Sequence, residues 1–305
     1  MDNGIATRQN APENLRLLAA QRVFYASAKQ TATIQVWIAG LTPILGAVLA
    51  ALYPKAAGWA AVAGIGAALS DVLWLDPKQT DWRRCGANTQ EKFDCTVLAL
   101  ERNEALEGQC PTIEEIYAAS QEYVANENSP IADWYPKKAA NVSLSQGRLV
   151  CQRSNLWWDS ELRRRYRGWI VVSISIIIAG CFCFGFEQQW TLDHFVLAFL
   201  APLTPALMWA GREWKRQTEG ASNLDRLRET TEQLWGQMLK GNLSEAELTL
   251  RSRTLQDAIL VGRRERATVF DWVYRRLRNK QEKQMNVGAE EMISQIRAHE
   301  SGASQ

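Results

Sequence analysis

Apolar and polar residues fall into long alternating blocks along this chain. Four blocks are almost wholly apolar: residues 34–53, 56–75, 169–186 and 194–211. Each is close to the roughly 20 residues a helix needs to cross a hydrocarbon core of about 30 Å, with the third at the short end. The segments 1–33, 76–168 and 212–305 are polar, with apolar residues recurring at helical steps of three and four. The pattern predicts an all-α membrane protein with four transmembrane helices in two hairpins, 34–75 and 169–211. Attached to these are an N-terminal amphipathic cytoplasmic helix (1–33), a helical cytoplasmic insert (76–168) and C-terminal cytoplasmic helices (212–305) forming a helical hairpin.

Local signals refine each block. Pro12 stands where the first turn of a helix accepts it, and Leu15, Leu18, Arg22 and Tyr25 share one spacing behind it. The apolar run starts only at Ile34, farther in than a secretory signal would place it. Pro43 is a kink candidate in the first span. In the second, Ala60, Gly64 and Ala68 recur at every fourth residue, a small-residue face that lets helix backbones approach in lipid. Asp71 lies near the inner end of that span. It is either a functional group or an interfacial one that reaches water, and Asp76 and Lys78 nearby favour the second reading. Residues 80–100 and 111–123 read as helices, 126–130 as a breaker cluster, and a helix from Leu144 runs on into the third span. Pro202 and Pro205 are kink candidates in the fourth. Leu224, Leu227, Thr231, Leu234 and Met238 form a heptad-like stripe, which Gly241 and Asn242 end. Ser244 and Glu247 have capping-box spacing and open a last helix through Val273. Its arginines, Arg263, Arg264, Arg266, Arg275, Arg276 and Arg278, read as a solvated face, with contact to anionic lipid as the alternative.

Charge sets the expected orientation. Lys and Arg cluster at 8–29, 163–167 and 212–216, while the two hairpin loops hold only Lys55. The positive-inside rule then places both termini and the insert in the cytoplasm. The 13 Trp residues, many flanking the apolar blocks, fit an interfacial aromatic belt. A net charge of +2 exerts no global pull on a DNA or RNA polymer. The six Cys and two His lack ligand spacing, so no metal site is expected. Phosphate-loop, dinucleotide-binding and serine-hydrolase motifs are missing. Neither an enzyme nor a bound cofactor is expected.

The stretch 151–169, CQRSNLWWDSELRRRYRGW, remains to be explained. Arg153 and Arg163 could grip phosphates. Trp157 and Trp158, with Trp134 and Tyr135, offer flat faces for nucleobases. Asn155 could read a base edge, and Asp159 lies beside it. The alternative is that Arg and Trp just inside a span are membrane anchors. Arg164, Arg165 and Arg167 suit that role, whereas Trp157, Trp158 and Asp159 lie two turns or more below the span.

Several blocks resemble a known family: Glu13-Asn14-Leu15 through Gln21-Arg22 and Tyr25; Gln90-Glu91 with Phe93-Asp94; Asp133-Trp134-Tyr135-Pro136; and Cys151 to Asn155 with Trp157-Trp158-Asp159 and Leu162-Arg163. Their order around two pairs of spans is similar to that of the four-transmembrane SMODS-associated effectors of bacterial cyclic-oligonucleotide antiphage systems (CBASS). The resemblance implies a multi-pass protein of the bacterial inner membrane. A cyclic di- or trinucleotide from a partner nucleotidyltransferase would bind its cytoplasmic sensor. The protein would form a homo-oligomer, permeabilise the bilayer and abort the infection. A constitutive small channel or transporter, or a membrane scaffold recruiting partners through its cytoplasmic helices, are the competing expectations.

Overall fold

A computed structural model describes residues 2–42, 45–46, 49, 53, 55, 57–126, 131–196 and 201–302. Pro43 lies outside them, and of Ala60, Pro202 and Pro205 only the backbone is described. The described residues are helical and contain no strand. In order they form α1 (Ile5–Gln9), α2 (Pro12–Gln35), α3 (Ala57–Ser70), α4 (Asp76–Leu98), α5 (Glu104–Glu107), α6 (Ile113–Asn126), α7 (Leu144–Glu187), α8 (Leu192–Phe195), α9 (Ala201–Leu239), α10 (Glu245–Glu265) and α11 (Asp271–Gly302).

Four helical rods organise the molecule, each running from a polar half to an apolar half. α2 passes without a break into a π-helical turn, Val36–Leu41. α3 joins α4 through another, Asp71–Leu75. α7 and α9 are single helices of 44 and 39 residues. Ser143 starts α7: its side chain accepts from the Gln146 N–H, and Gln146 reaches back to the Ser143 N–H. The capping box expected at Ser244 is formed in the same way at the start of α10.

The polar halves pack into one bundle. α2 lies along α4 and α6, α7 along α9, and α10 and α11 close over α7. Leu18, Phe93, Leu98, Tyr135, Leu149 and Cys151 form its main core, joined by Trp235 from α9 and Ile293 from α11. Two smaller clusters follow α7 toward its apolar half, one around Leu156, Leu224 and Ile259, the next around Leu162, Tyr166, Val269 and Val273. Beyond them the apolar side chains face outward: Trp59, Ile65 and Trp74 on α3 and its π-turn, and Ile176, Phe182 and Phe186 on α7, are all exposed. Among the described residues α7 is the one helix that is long and apolar enough to cross a membrane. On the small-residue face of α3, a Cβ added at Gly64 would meet nothing within 4 Å and Ala68 is exposed. The Asp71 carboxylate accepts a 2.9 Å hydrogen bond from Gln35 Nε2, which clips the two π-turn regions together.

Two expectations for the C-terminal part need correction. The segment after Ser244 is not one helix of a hairpin. α10 stops at Arg266, whose backbone is extended (ψ 135), and α11 starts afresh at Asp271. The strap between them buries Val269. Its carbonyls are taken by distant side chains: Arg163 Nη1 donates to Ala267 O at 2.8 Å, and Gln217 Nε2 to Thr268 O at 3.5 Å. Such partners lie about 50 and 100 residues away, beyond the reach of local periodicity. Nor is the arginine face of α10 solvated. Arg263 and Arg266 turn inward, because the buried Asp94 of α4 and the partly exposed Asp159 of α7 receive them.

Candidate ligand cavity

A cavity of about 580 Å³ opens between α2, α7, α10 and α11, with Arg83 and Gln90 of α4 and Trp134 of the loop after α6 completing its wall. That volume lies within the usual range for small-molecule sites, about 300–1,000 Å³. Eight Lys or Arg and four Asp or Glu line it, together with the rings of Tyr25, Tyr123, Trp134, Trp158 and Tyr274. The insert 76–168 alone does not make it; the N-terminal helix and the C-terminal helices supply much of the wall.

Helical geometry sorts the residues singled out in the sequence. Asn155, Trp158, Asp159, Leu162 and Arg163 stand three and four apart on one face of α7, and all of them line the cavity. Trp134 lines it too. Tyr135 sits one layer behind, 1% exposed, stacked on Phe93 with ring centroids 6.1 Å apart. Trp157 is not among the lining residues, being about 200° around the helix from Asn155. Arg153 is also turned away, and its guanidinium pairs with Glu232 of α9 at 3.0 Å.

Beneath the floor lies a buried polar network. Asn155 Nδ2 donates to Tyr135 Oη at 3.1 Å, and that hydroxyl donates to Asp94 at 2.7 Å. The other Asp94 oxygen accepts from Arg263 at 2.6 Å and from Gln256 at 3.1 Å. Gln256 also donates to Glu91 at 2.8 Å, and Arg253 pairs with Glu91 at 2.7 Å. Burial pushes the Glu91 carboxyl up, as does Asp94 beside it, against the pull of Arg253. Burial lowers Arg263, but Asp94 together with Tyr25, Tyr135 and Glu91 more than compensates and holds it above the ordinary arginine value. The network fixes Asn155 in the wall and ties α4, the loop after α6, α7 and α10 together. It accounts for the quoted blocks around Glu91-Asp94, Trp134-Tyr135 and Gln152-Asn155.

Cations gather around Asp159. Arg163 Nε is 3.0 Å from one carboxylate oxygen and Arg266 Nε 3.5 Å from the other. Burial pushes the Asp159 carboxyl up, but Arg163, Arg266 and Arg263 pull it below the usual range. Burial also draws Arg266 down to about 10, which Asp159 offsets only in part. Tyr25 on the facing wall is pushed up to about 12 by burial, so it stays a neutral donor at neutral pH. Sequence reasoning missed Tyr25, Arg263 and Arg266 as wall residues. The block holding Arg22 and Tyr25 was the available signal for the first; the other two offered only a cationic face.

A second cavity, about 890 Å³, lies toward the apolar halves, and its lining includes Gln35, Asp71, Glu213, Arg216 and Asn223. Arg83, Arg266, Ala267 and Thr268 line both cavities, so the strap after α10 separates them. No group of three or more His, Cys, Asp or Glu able to hold a metal occurs among the described residues.

A polar helical bundle thus encloses a cationic, aromatic cavity and is continued by exposed apolar helix surfaces. The family model of the SMODS-associating 4TM effector domain matches residues 3–292, and the chain belongs to that family. The resemblance read from the sequence blocks therefore holds. A relative described as a probable CBASS effector molecule, from Bacillus cereus strain VD146, is 25% identical over 277 residues, spanning 88% of this chain and 90% of that protein. No solved structure matches the chain.

Proposed function

We propose that this protein is a cyclic-oligonucleotide-activated effector of a bacterial antiphage system, acting at the inner membrane. A cyclic di- or trinucleotide from a partner nucleotidyltransferase enters the 580 Å³ cavity. Trp158, Trp134 and Tyr274 offer ring faces to its bases, Asn155 a base-edge contact, and the arginines of α7 and α10 its phosphates. The apolar rods form four spans in two hairpins with both termini in the cytoplasm. Ligand binding drives homo-oligomerisation and permeabilises the bilayer.

One observation carries the reading: the cavity wall and the exposed apolar segment belong to the same unbroken helix, α7. A ligand that prefers one position of that helix biases the apolar half directly. The test is dye release from liposomes containing the purified full chain, against a panel of cyclic di- and trinucleotides. Release with one or more of them is expected. The reading fails if no member of the panel causes release or raises the melting temperature. The polar second cavity around Asp71 supports a rival reading, a constitutive channel, and release without any nucleotide would favour it.

A further inference from the structure

Arg163 comes from the middle of α7, and Arg266 from the end of α10. Both side chains are 7% exposed, and both point at one carboxylate, that of Asp159. Neither contact is aligned as a hydrogen bond: among the described residues neither Nε has a hydrogen-bond partner, although both are buried. Two desolvated guanidiniums thus share one negative charge in poor geometry. Arg163 spends one nitrogen on Gln217 and Ala267 O, each at 2.8 Å, whereas the Arg266 guanidinium has no hydrogen-bond partner among the described residues. Burying a cation without a matched partner is costly, and a site that tolerates it is incomplete.

The backbone is shaped around this arrangement. A Cβ at Gly262 would stand 1.9 Å from Arg266 Nη1, and one at Gly220 would meet the Cδ atoms of Arg163 and Arg266, each at 3.4 Å. Glycine at both positions leaves room for the two guanidiniums to converge. Asp159 itself is 30% exposed and lines the cavity. The carboxylate is therefore the one member of the group that can leave.

We infer that Asp159 stands in for a ligand phosphodiester in the empty protein, and that the ligand's anion takes its place between Arg163 and Arg266. A phosphodiester has the two non-bridging oxygens and the negative charge that a guanidinium pair accepts bidentately. The exchange also has a mechanical side. The Asp159–Arg266 contact joins α7 to the strap between the two cavities, and insertion of an anion removes that tie. Asp159 is ten residues, about 15 Å, before Trp169, so the release occurs on the rod that carries the apolar segment. This inference rests on the nucleotide reading above and adds to it the phosphate subsite and an internal competitor.

The experiment uses the full chain in detergent, with cyclic di-AMP, cyclic GMP–AMP and cyclic tri-AMP as probes and inorganic phosphate as a control for nonspecific anion effects. Ligand-induced shifts in melting temperature are titrated for the wild type, Asp159→Asn and Arg266→Gln. Removing the competitor should tighten binding of the active probe about five- to tenfold, within the usual size of an allosteric coupling, and lower the concentration needed for dye release. Arg266→Gln should abolish the shift while leaving the melting temperature without ligand unchanged or higher, since a strained cation is gone. If the wild type responds and Asp159→Asn binds no tighter, the inference is overturned and the nucleotide reading stands. If Asp159→Asn does not fold, Arg266→Gln decides: a full wild-type shift overturns the inference, and loss of the shift supports it. If no probe shifts the wild type or Asp159→Asn, the nucleotide reading falls and takes the inference with it.

Discussion

Arg263, paired with Asp94 beneath the cavity, and Arg153, paired with Glu232 between α7 and α9, show how differently one residue type can contribute. Arg263 is 10% exposed and neutralises a fully buried Asp94. Truncating it to Ala leaves that carboxylate buried and unpaired, which should cost about 3–5 kcal/mol. Arg153 pairs with a half-exposed Glu232, and Arg153→Ala should cost at most about 1 kcal/mol. Thermal melts of both variants beside the wild type check the contrast; similar losses would mean that the network beneath the cavity does not support the fold. Acid gives a second residue-scale test. The folded-state value of Asp159 lies below its ordinary 3.8, so the stability it contributes is complete above that pH and is lost as pH falls toward the depressed value. Glu91 has the opposite sign, because burial raises it and acid relieves the cost of its charge. The melting temperature of the wild type minus that of Asp159→Asn should therefore shrink below pH 3.8, a difference in which the Glu91 effect cancels. The stretch 151–163 already named four of the cavity residues because helical steps put Asn155, Trp158, Asp159 and Arg163 on one side. The same steps place Arg153 and Trp157 elsewhere, a sorting that composition could not make.

At the scale of elements, α7 is the part on which the proposed function depends. Its start, its length and its passage into the third apolar block could be read locally, since all three depend on neighbours within a few residues. The break at 266–270 could not, because what stabilises it is the reach of Arg163 and Gln217 from other helices. The cavity was hidden for the same reason: its walls bring Tyr25 against residues well over 200 positions later. Gly168 offers a test of the rod. It lies between the cavity face and the apolar half, with nothing within 4 Å of a built Cβ. Gly168→Pro removes a ladder hydrogen bond and kinks the helix there, at about 3 kcal/mol in a helix interior. The expected outcome is a nucleotide-induced melting shift close to wild type and a loss of dye release. Dye release at the wild-type level would show that the signal leaves the cavity by another path.

Across the whole molecule, Trp59, Val62, Ile65, Trp74, Ile176, Phe182 and Phe186 are all exposed, and large apolar exposure of this kind marks a membrane or partner surface. The full chain should float with liposomes in a density gradient and aggregate when detergent is diluted away; remaining monomeric without either would rule out a bilayer role. Four apolar blocks were legible as a pattern in the sequence, and among the described residues α7 meets the length and hydropathy requirement for a span. Two π-helical turns mark the rods built on α2 and on α3–α4. Val36–Leu41 and Asp71–Leu75 are wound as π-helix, side by side, and joined by Gln35 and Asp71. A π-turn holds a residue more than an α-turn. Tightening either one moves a single residue across the junction and rotates the helix beyond it by about 100°. Each of these two rods thus carries a click-stop: one discrete step at its π-turn would present a new side of the helix beyond it, while the α-helical ladders of α2 and α4 stay whole.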